Sequence, residues 1–247
     1  MASQPIYQFY AKLDGYTPKM WRRFQVMNNI TMARLGYIVM TMFEMQASHL
    51  FCFEVPLVEN YYKHMKERHK EKELDNLIFF RAKDKITRFE VQNEMTTEFQ
   101  DEDALNAATE KLPRIITQVG DKLTLQYDFG DGWEIKLILE QIIEDKDLPG
   151  KELPRVLDGA GYGIIEDCGG PGWLEDIAKA FKEKTGKQYD QYRQWLGTDE
   201  LDLSAFDIDD MNFRLKKLPR IYADAYEHGL EPTKQSMDLL MRKYLKK

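Results

Sequence analysis

Two alternating runs on either side of Gly130-Asp131-Gly132 constrain this chain more than any other feature. Leu123, Leu125, Tyr127 and Phe129 precede the glycines, and Trp133, Ile135, Leu137 and Leu139 follow them. Each run has one apolar face, the period of a half-buried strand. A two-residue Asp131-Gly132 turn would set the apolar face of one strand against the polar face of the other, which a buried sheet disfavours. A three-residue loop pairs Phe129 with Trp133, Tyr127 with Ile135 and Leu125 with Leu137, and its last glycine takes the positive φ. In that register Asp128 stands opposite Glu134 with Asp131 at the tip, and like charges so placed repel. Such a cluster is a solvated hairpin end, an oxygen-ligand site for a hard cation, or an acid–base pair with one raised pKa.

The remaining pattern predicts an α+β fold: a mixed or mainly antiparallel sheet, a helix packed on it, and a helical C-terminal cap. Ile6 to Leu13 and Met20 to Val26 form a first hairpin, whose second strand carries Arg22 and Arg23 on opposite faces. The inward cation needs a carboxylate partner, unless the strand is an exposed edge guarded by charge. Thr31 caps a helix with Leu35, Ile38, Val39 and Met42 on one stripe, and its methionines fill a core. His49 to Val55 is a third strand, with His49 on its apolar side as a ligand, a base or a core histidine. Lys63 to Glu73 is a solvated charge run. Leu77 to Arg81 and Ile86 to Val91 are short strands, and Ala104 to Lys111 is a short helix. Helices are expected over Trp173 to Thr185, over Tyr189 to Leu196, and from Thr233 onward.

From Asp158 to Gly172 glycine dominates, so the backbone sets the path. This loop lacks the lysine and the serine or threonine of a phosphate loop, and its glycines do not fit GxGxxG. Glu166, Asp167 and Cys168 lie within it, and Cys168 is a nucleophile only if a base stands beside it. The two cysteines, Cys52 and Cys168, have neither disulfide-framework nor zinc-site spacing. A net charge of −7 argues against broad electrostatic capture of nucleic acid but allows local basic patches. With no signal pattern and no membrane span, the expected location is intracellular and cytoplasmic.

The opening Tyr-x-Phe strand with Trp21-Arg22-Arg23, His49-Leu50 before Phe53, Tyr127-Asp128-Phe129-Gly130-Asp131-Gly132-Trp133, Glu166-Asp167-Cys168-Gly169-Gly170-Pro171, and Phe206-Asp207 with Asn212 together resemble one family. It is the plasmid pRiA4b ORF-three-like family, which includes passenger proteins of insertion elements, some labelled resolvase-like. The resemblance covers about residues 5 to 215 and implies an α+β domain over 1–215 with a helical extension over 216–247. It implies no reaction, and no serine-recombinase pattern is present. The family carries a histidine shortly after the hairpin tryptophan, where this chain has Ile135, and a proline-rich approach to the Glu-Asp-Cys motif, where it has Gly163-Ile164-Ile165.

Two functions follow. The leading one is a non-catalytic binding protein of mobile-element type that recognises a protein or nucleic acid. Its contact residues are drawn from Arg22, Arg23, His49, Tyr127, Asp128, Asp131, Trp133, Glu134, Glu166, Asp167 and Cys168, together with the basic C-terminal segments. The alternative is a metal-assisted hydrolase or nuclease that binds Mg²⁺ or Mn²⁺ through Asp128, Asp131 and Glu134, with Glu166 and Asp167 completing the cation site.

Overall fold

The computed structural model describes residues 4–68, 85–92, 102–145 and 147–241. The strands are β1 (Ile6–Leu13), β2 (Trp21–Met27), β3 (Phe51–Val55), β4 (Thr87–Glu90), β5 (Leu105–Asn106), β6 (Lys122–Tyr127), β7 (Trp133–Ile143) and β8 (Arg155–Ala160). They form one sheet in the order β5-β4-β3-β6-β7-β1-β2-β8. Every pairing is antiparallel except β4 with β5, so the sheet is mixed and the fold α+β, as the alternation predicts. The helices are α1 (Met32–Met42), α2 (Leu57–Arg68), α3 (Leu112–Ile115), α4 (Pro171–Glu183), α5 (Lys187–Leu196), α6 (Ile208–Leu215), α7 (Leu218–His228) and α8 (Lys234–Leu240). Among the described residues no helix is long and apolar enough to cross a membrane.

Helix α1 begins where Thr31 accepts a bond from the Arg34 amide, and it is buried along nearly its whole length. Met32, Met40, Met42 and Met45 are core, not groove. The sheet face beneath it carries Phe9, Phe24, Phe53, Leu125, Ile135 and Leu139, all fully buried. Tyr37 of α1 stacks on Tyr222 and Tyr226 of α7, so α7 packs into the core. Arg214 of α6 forms a buried bidentate pair with Glu44, just past the end of α1.

Several expectations change. The loop of the central hairpin is two residues longer than expected: Tyr127 pairs with Trp133 and Leu125 with Ile135, so Gln126 rather than Asp128 faces Glu134. Residues 104–111 are not a helix, because Leu105–Asn106 pair with β4 and the helical turn starts only at Leu112. His64 is not solvated, since it is buried against Asp121 with 2.5 Å between Nε2 and Oδ1. The strand expected over Leu77 to Arg81 lies outside the described residues, as do the ends of the charge run and of the last helix.

Arg22 does point inward, and the hydrogen-bond partners seen among the described residues are backbone carbonyls. Its guanidinium donates to the carbonyl oxygens of Trp21, Met42, Ala160, Gly161 and Tyr162 at 2.7–3.1 Å, and it lies over the Phe206 and Phe43 rings. A Cβ at Gly159 would sit 2.8 Å from Phe206 and 2.9 Å from Arg22, so only glycine leaves room for this side chain. Arg23, on the other face, meets Glu140 through two bonds at 2.7 and 2.9 Å.

Candidate functional site

The hairpin tip is built by Asp128. Its φ of +49° takes the chain out of β6, and its Oδ1 accepts the amides of Gly130 and Asp131 while its carbonyl accepts that of Gly132. This is an Asx-type turn, which asparagine and aspartate tolerate best at positive φ. One carboxylate oxygen thus holds the loop, and Oδ2 is left to face His49 at 3.5 Å.

His49 lies in the connection between α1 and β3, ahead of the strand that was expected to include it. Its Nε2 lies 3.1 Å from Asp167 Oδ1, 3.5 Å from Asp128 Oδ2 and 3.8 Å from Glu166 Oε2. His49, Asp128 and Asp167 each place one donor atom within 4.8 Å of the other two. Asp167 is reached through another positive φ, +57°, and its side chain is 71% exposed. Glu166 is its opposite, with a side chain only 7% exposed. Its Oε1 accepts the Tyr127 hydroxyl at 2.7 Å and the Gln46 amide at 2.5 Å, whereas its buried Oε2 has no hydrogen-bond partner among the described residues. Burial raises the Glu166 carboxyl above its ordinary pKa, against the opposing pull of Tyr127, Gln46 and His49.

The sequence-predicted residues therefore separate into groups. Tyr127, Asp128, Glu166, Asp167 and His49 converge. Asp131 turns to the glycine loop, where its Oδ2 accepts the Gly169 amide at 3.0 Å. Glu134 follows the inward-facing Trp133 and so stands on the opposite face of the sheet. Asp128, Asp131 and Glu134 consequently do not form one ligand set. Trp133 is fully buried, a core residue under the hairpin, and Arg22 and Arg23 stay with the partners described above.

Cys168 is buried, and burial pushes its thiol up to about 12; Cys52, also buried, is pushed up to about 11. A thiol so shifted holds almost no thiolate near neutrality. The folded protein is expected to leave an aromatic disulfide reagent unreacted near pH 8, with both thiols reacting once guanidinium unfolds the chain. Rapid labelling of Cys168 in the folded state would restore it as a nucleophile.

Sequence reasoning missed Gln46, Ser48, Tyr222 and Tyr226. The Ser48 amide and hydroxyl both lie 3.3 Å from the Tyr127 hydroxyl, and Tyr226 donates to the His49 carbonyl. Two clefts border the cluster. One, of about 400 Å³, is lined by Asp128, Gln126, Phe129, Glu134 and Arg88. The other, of about 340 Å³, is lined by Ser48, His49, Leu50, Tyr226 and Leu230.

A family model described as plasmid pRiA4b ORF-3-like protein matches residues 5–213. The uncharacterized protein y4hQ of Sinorhizobium fredii is 29% identical over 86 residues, which is 35% of this chain and 43% of that protein. The chain thus matches less than half the length of that relative. The crystal structure of a protein of unknown function, MM3350 from Methanosarcina mazei Go1, superposes with a TM-score of 0.63 at 22% identity, covering 84% of this chain and 97% of the other. That likeness concerns the fold.

Proposed function

This chain belongs to the plasmid pRiA4b ORF-3-like family, and from that premise we propose that it is a divalent-cation protein whose bound ion activates water for hydrolysis. The observation that carries the reading is the convergence of three carboxylates on one imidazole nitrogen, one of them a buried glutamate with an unsatisfied oxygen. The separations of 3.1 and 3.5 Å that Asp167 and Asp128 keep from His49 Nε2 suit ligands of one ion, with Glu166 Oε2 the next carboxylate out at 3.8 Å. Bonds of about 2.1 Å put neighbouring ligand atoms roughly 3.0 Å apart in an octahedron and roughly 3.4 Å apart in a tetrahedron. One imidazole among carboxylates favours Mn²⁺, Fe²⁺ or Zn²⁺ over Ca²⁺. Exposure of Asp167 leaves a solvent side on which a water ligand can sit, where the cation would lower its pKa and generate the nucleophile.

The test is a thermal melt of the full chain with and without Mn²⁺, Mg²⁺ and Ca²⁺. An ion at about a hundred times its Kd stabilises by about 2.7 kcal/mol. For a chain of this length that raises Tm by roughly 5–10 °C. Asp128→Asn keeps the turn-forming oxygen but removes the charge, and it is expected to abolish most of that rise.

A second reading is favoured by two exposed aromatic rings near the cluster, Phe129 at 49% and Trp173 at 55%. They suit recognition of a protein or nucleic-acid partner through the hairpin tip and the glycine loop, with no chemistry. A melt unchanged by all three ions would overturn the cation reading in favour of this one.

A further inference from the structure

We infer that α7, which lies beyond the family-model span, completes the candidate centre, with Tyr226 and Tyr222 as positioning residues for His49. The inference rests on the cation reading for its functional meaning. It starts from a mechanical problem, because His49 is carried by a connection outside any helix or strand. That connection includes two non-glycine residues in the left-handed region, Glu44 at φ +61° and Ala47 at φ +62°. Such conformations persist only when the surroundings impose them.

The surroundings do so at four points. Tyr222 donates to the Met45 carbonyl at 2.5 Å, the Gln46 amide donates to Glu166, the Ser48 amide donates to the Tyr127 hydroxyl, and Tyr226 donates to the His49 carbonyl. Two of these anchors belong to the hairpin and the Glu-Asp motif, and the other two belong to α7. Tyr222 and Tyr226 are one helical turn apart, about 6 Å along the axis, so one rigid face presents both hydroxyls to carbonyls four residues apart in the connection.

Their rings cannot drift. Tyr222 is fully buried and Tyr226 only 8% exposed. Tyr37 stacks on both, at 6.1 and 5.8 Å, and Phe51 meets Tyr226 edge-on at 5.2 Å. The chain around His49 is therefore held by Tyr127 at the Ser48 amide, one peptide before it, and by Tyr226 at the His49 carbonyl itself. A ligand ring must be held to within about 0.5 Å for productive geometry, and groups that orient ligands typically change metal affinity about 10–100-fold when removed.

The test compares the full-length wild type with Tyr226→Phe and with Tyr189→Phe. The second variant deletes a hydroxyl that donates to the Asp199 carbonyl at 2.9 Å, in α5 and away from the cluster. Mn²⁺ affinity is read from the electron paramagnetic resonance of the free ion. The His49 imidazole is read from its ¹H–¹⁵N cross-peaks in cation-free protein, assigned by their loss in His49→Gln. Tyr226→Phe is expected to weaken Mn²⁺ binding about tenfold or more and to broaden or double the His49 ring peaks, with Tyr189→Phe changing neither. Should Tyr226→Phe fail to fold, Tyr222→Phe carries the same comparison. Unchanged affinity and unchanged ring peaks would overturn the inference. If the wild type does not bind Mn²⁺, the cation reading falls, and the ring peaks alone decide whether α7 positions His49.

Discussion

Arg22→Met is expected to cost on the order of 4 kcal/mol of folding stability, a large share of the roughly 5–15 kcal/mol typical of a folded chain. Methionine keeps an apolar stem between the Phe43 and Phe206 rings but supplies no donor to the five carbonyls that the guanidinium reaches. Each buried acceptor left without a partner costs about 1–3 kcal/mol, tempered where the backbone relaxes or water enters. A desolvated cation over an aromatic face adds about 2 kcal/mol that is lost with the charge. Those carbonyls belong to β2, to the end of α1 and to the glycine loop after β8, so Arg22 ties together the bases of the two connections that present His49 and Glu166. Urea unfolding followed by circular dichroism measures the effect, which corresponds to a fall in Tm of roughly 10 °C or more. A loss below about 1 kcal/mol would mean that the carbonyls find other partners.

Arg22 also shows where sequence stops informing. Alternation in β2 places it inward, but nothing local says whether a buried cation meets carboxylates or carbonyls, because its acceptors lie up to 140 residues away. The central hairpin has a related limit. Alternation fixes which residues share a face and so excludes odd slips, yet pairing Tyr127 with Trp133 keeps the same faces as pairing Phe129 with Trp133. Turn chemistry decides between them: Asp128 bonds the loop amides, leaves the sheet and turns Phe129 outward to 49% exposure. Strands β1, β2, β3, β4, β6 and β7, the Thr31 cap and the α4 stripe were legible because each is a local pattern, whereas β5 and β8 were not. The cluster was not, since His49 meets carboxylates 79, 117 and 118 positions further along the chain. Ile135, where the resemblance leads one to expect a histidine, is fully buried in the core. Helix α7 did leave a signal, with Pro219 in its first turn, Leu218, Tyr222 and Tyr226 at helical spacing, and Gly229 as its left-handed stop.

Glu166→Gln is expected to act in opposite directions on stability and on cation binding. Burial raises the Glu166 carboxyl above its ordinary value of 4.5, so between that value and the raised one the folded chain holds a proton that the unfolded chain has lost. The sign follows from linkage: this contribution to stability is complete below the unfolded pKa and is lost as pH rises through the folded one. Above its raised pKa Glu166 is thus a buried charge held against its environment. Glutamine can still accept the Tyr127 and Gln46 bonds through its carbonyl oxygen, but it carries no charge. The stability of cation-free Glu166→Gln relative to wild type should therefore rise with pH above about 4.5 and shrink as pH falls toward that value. The Mn²⁺-dependent rise of about 2.7 kcal/mol at a hundredfold excess over the wild-type Kd should fall away with the lost ligand charge. A site that gives up stability for binding behaves this way, whereas a carboxylate kept only to anchor Gln46 and Tyr127 does not. Melts from pH 4.5 to pH 8, with and without Mn²⁺, separate the two. A variant that melts lower than wild type at neutral pH and keeps its response to Mn²⁺ would make Glu166 an architectural residue.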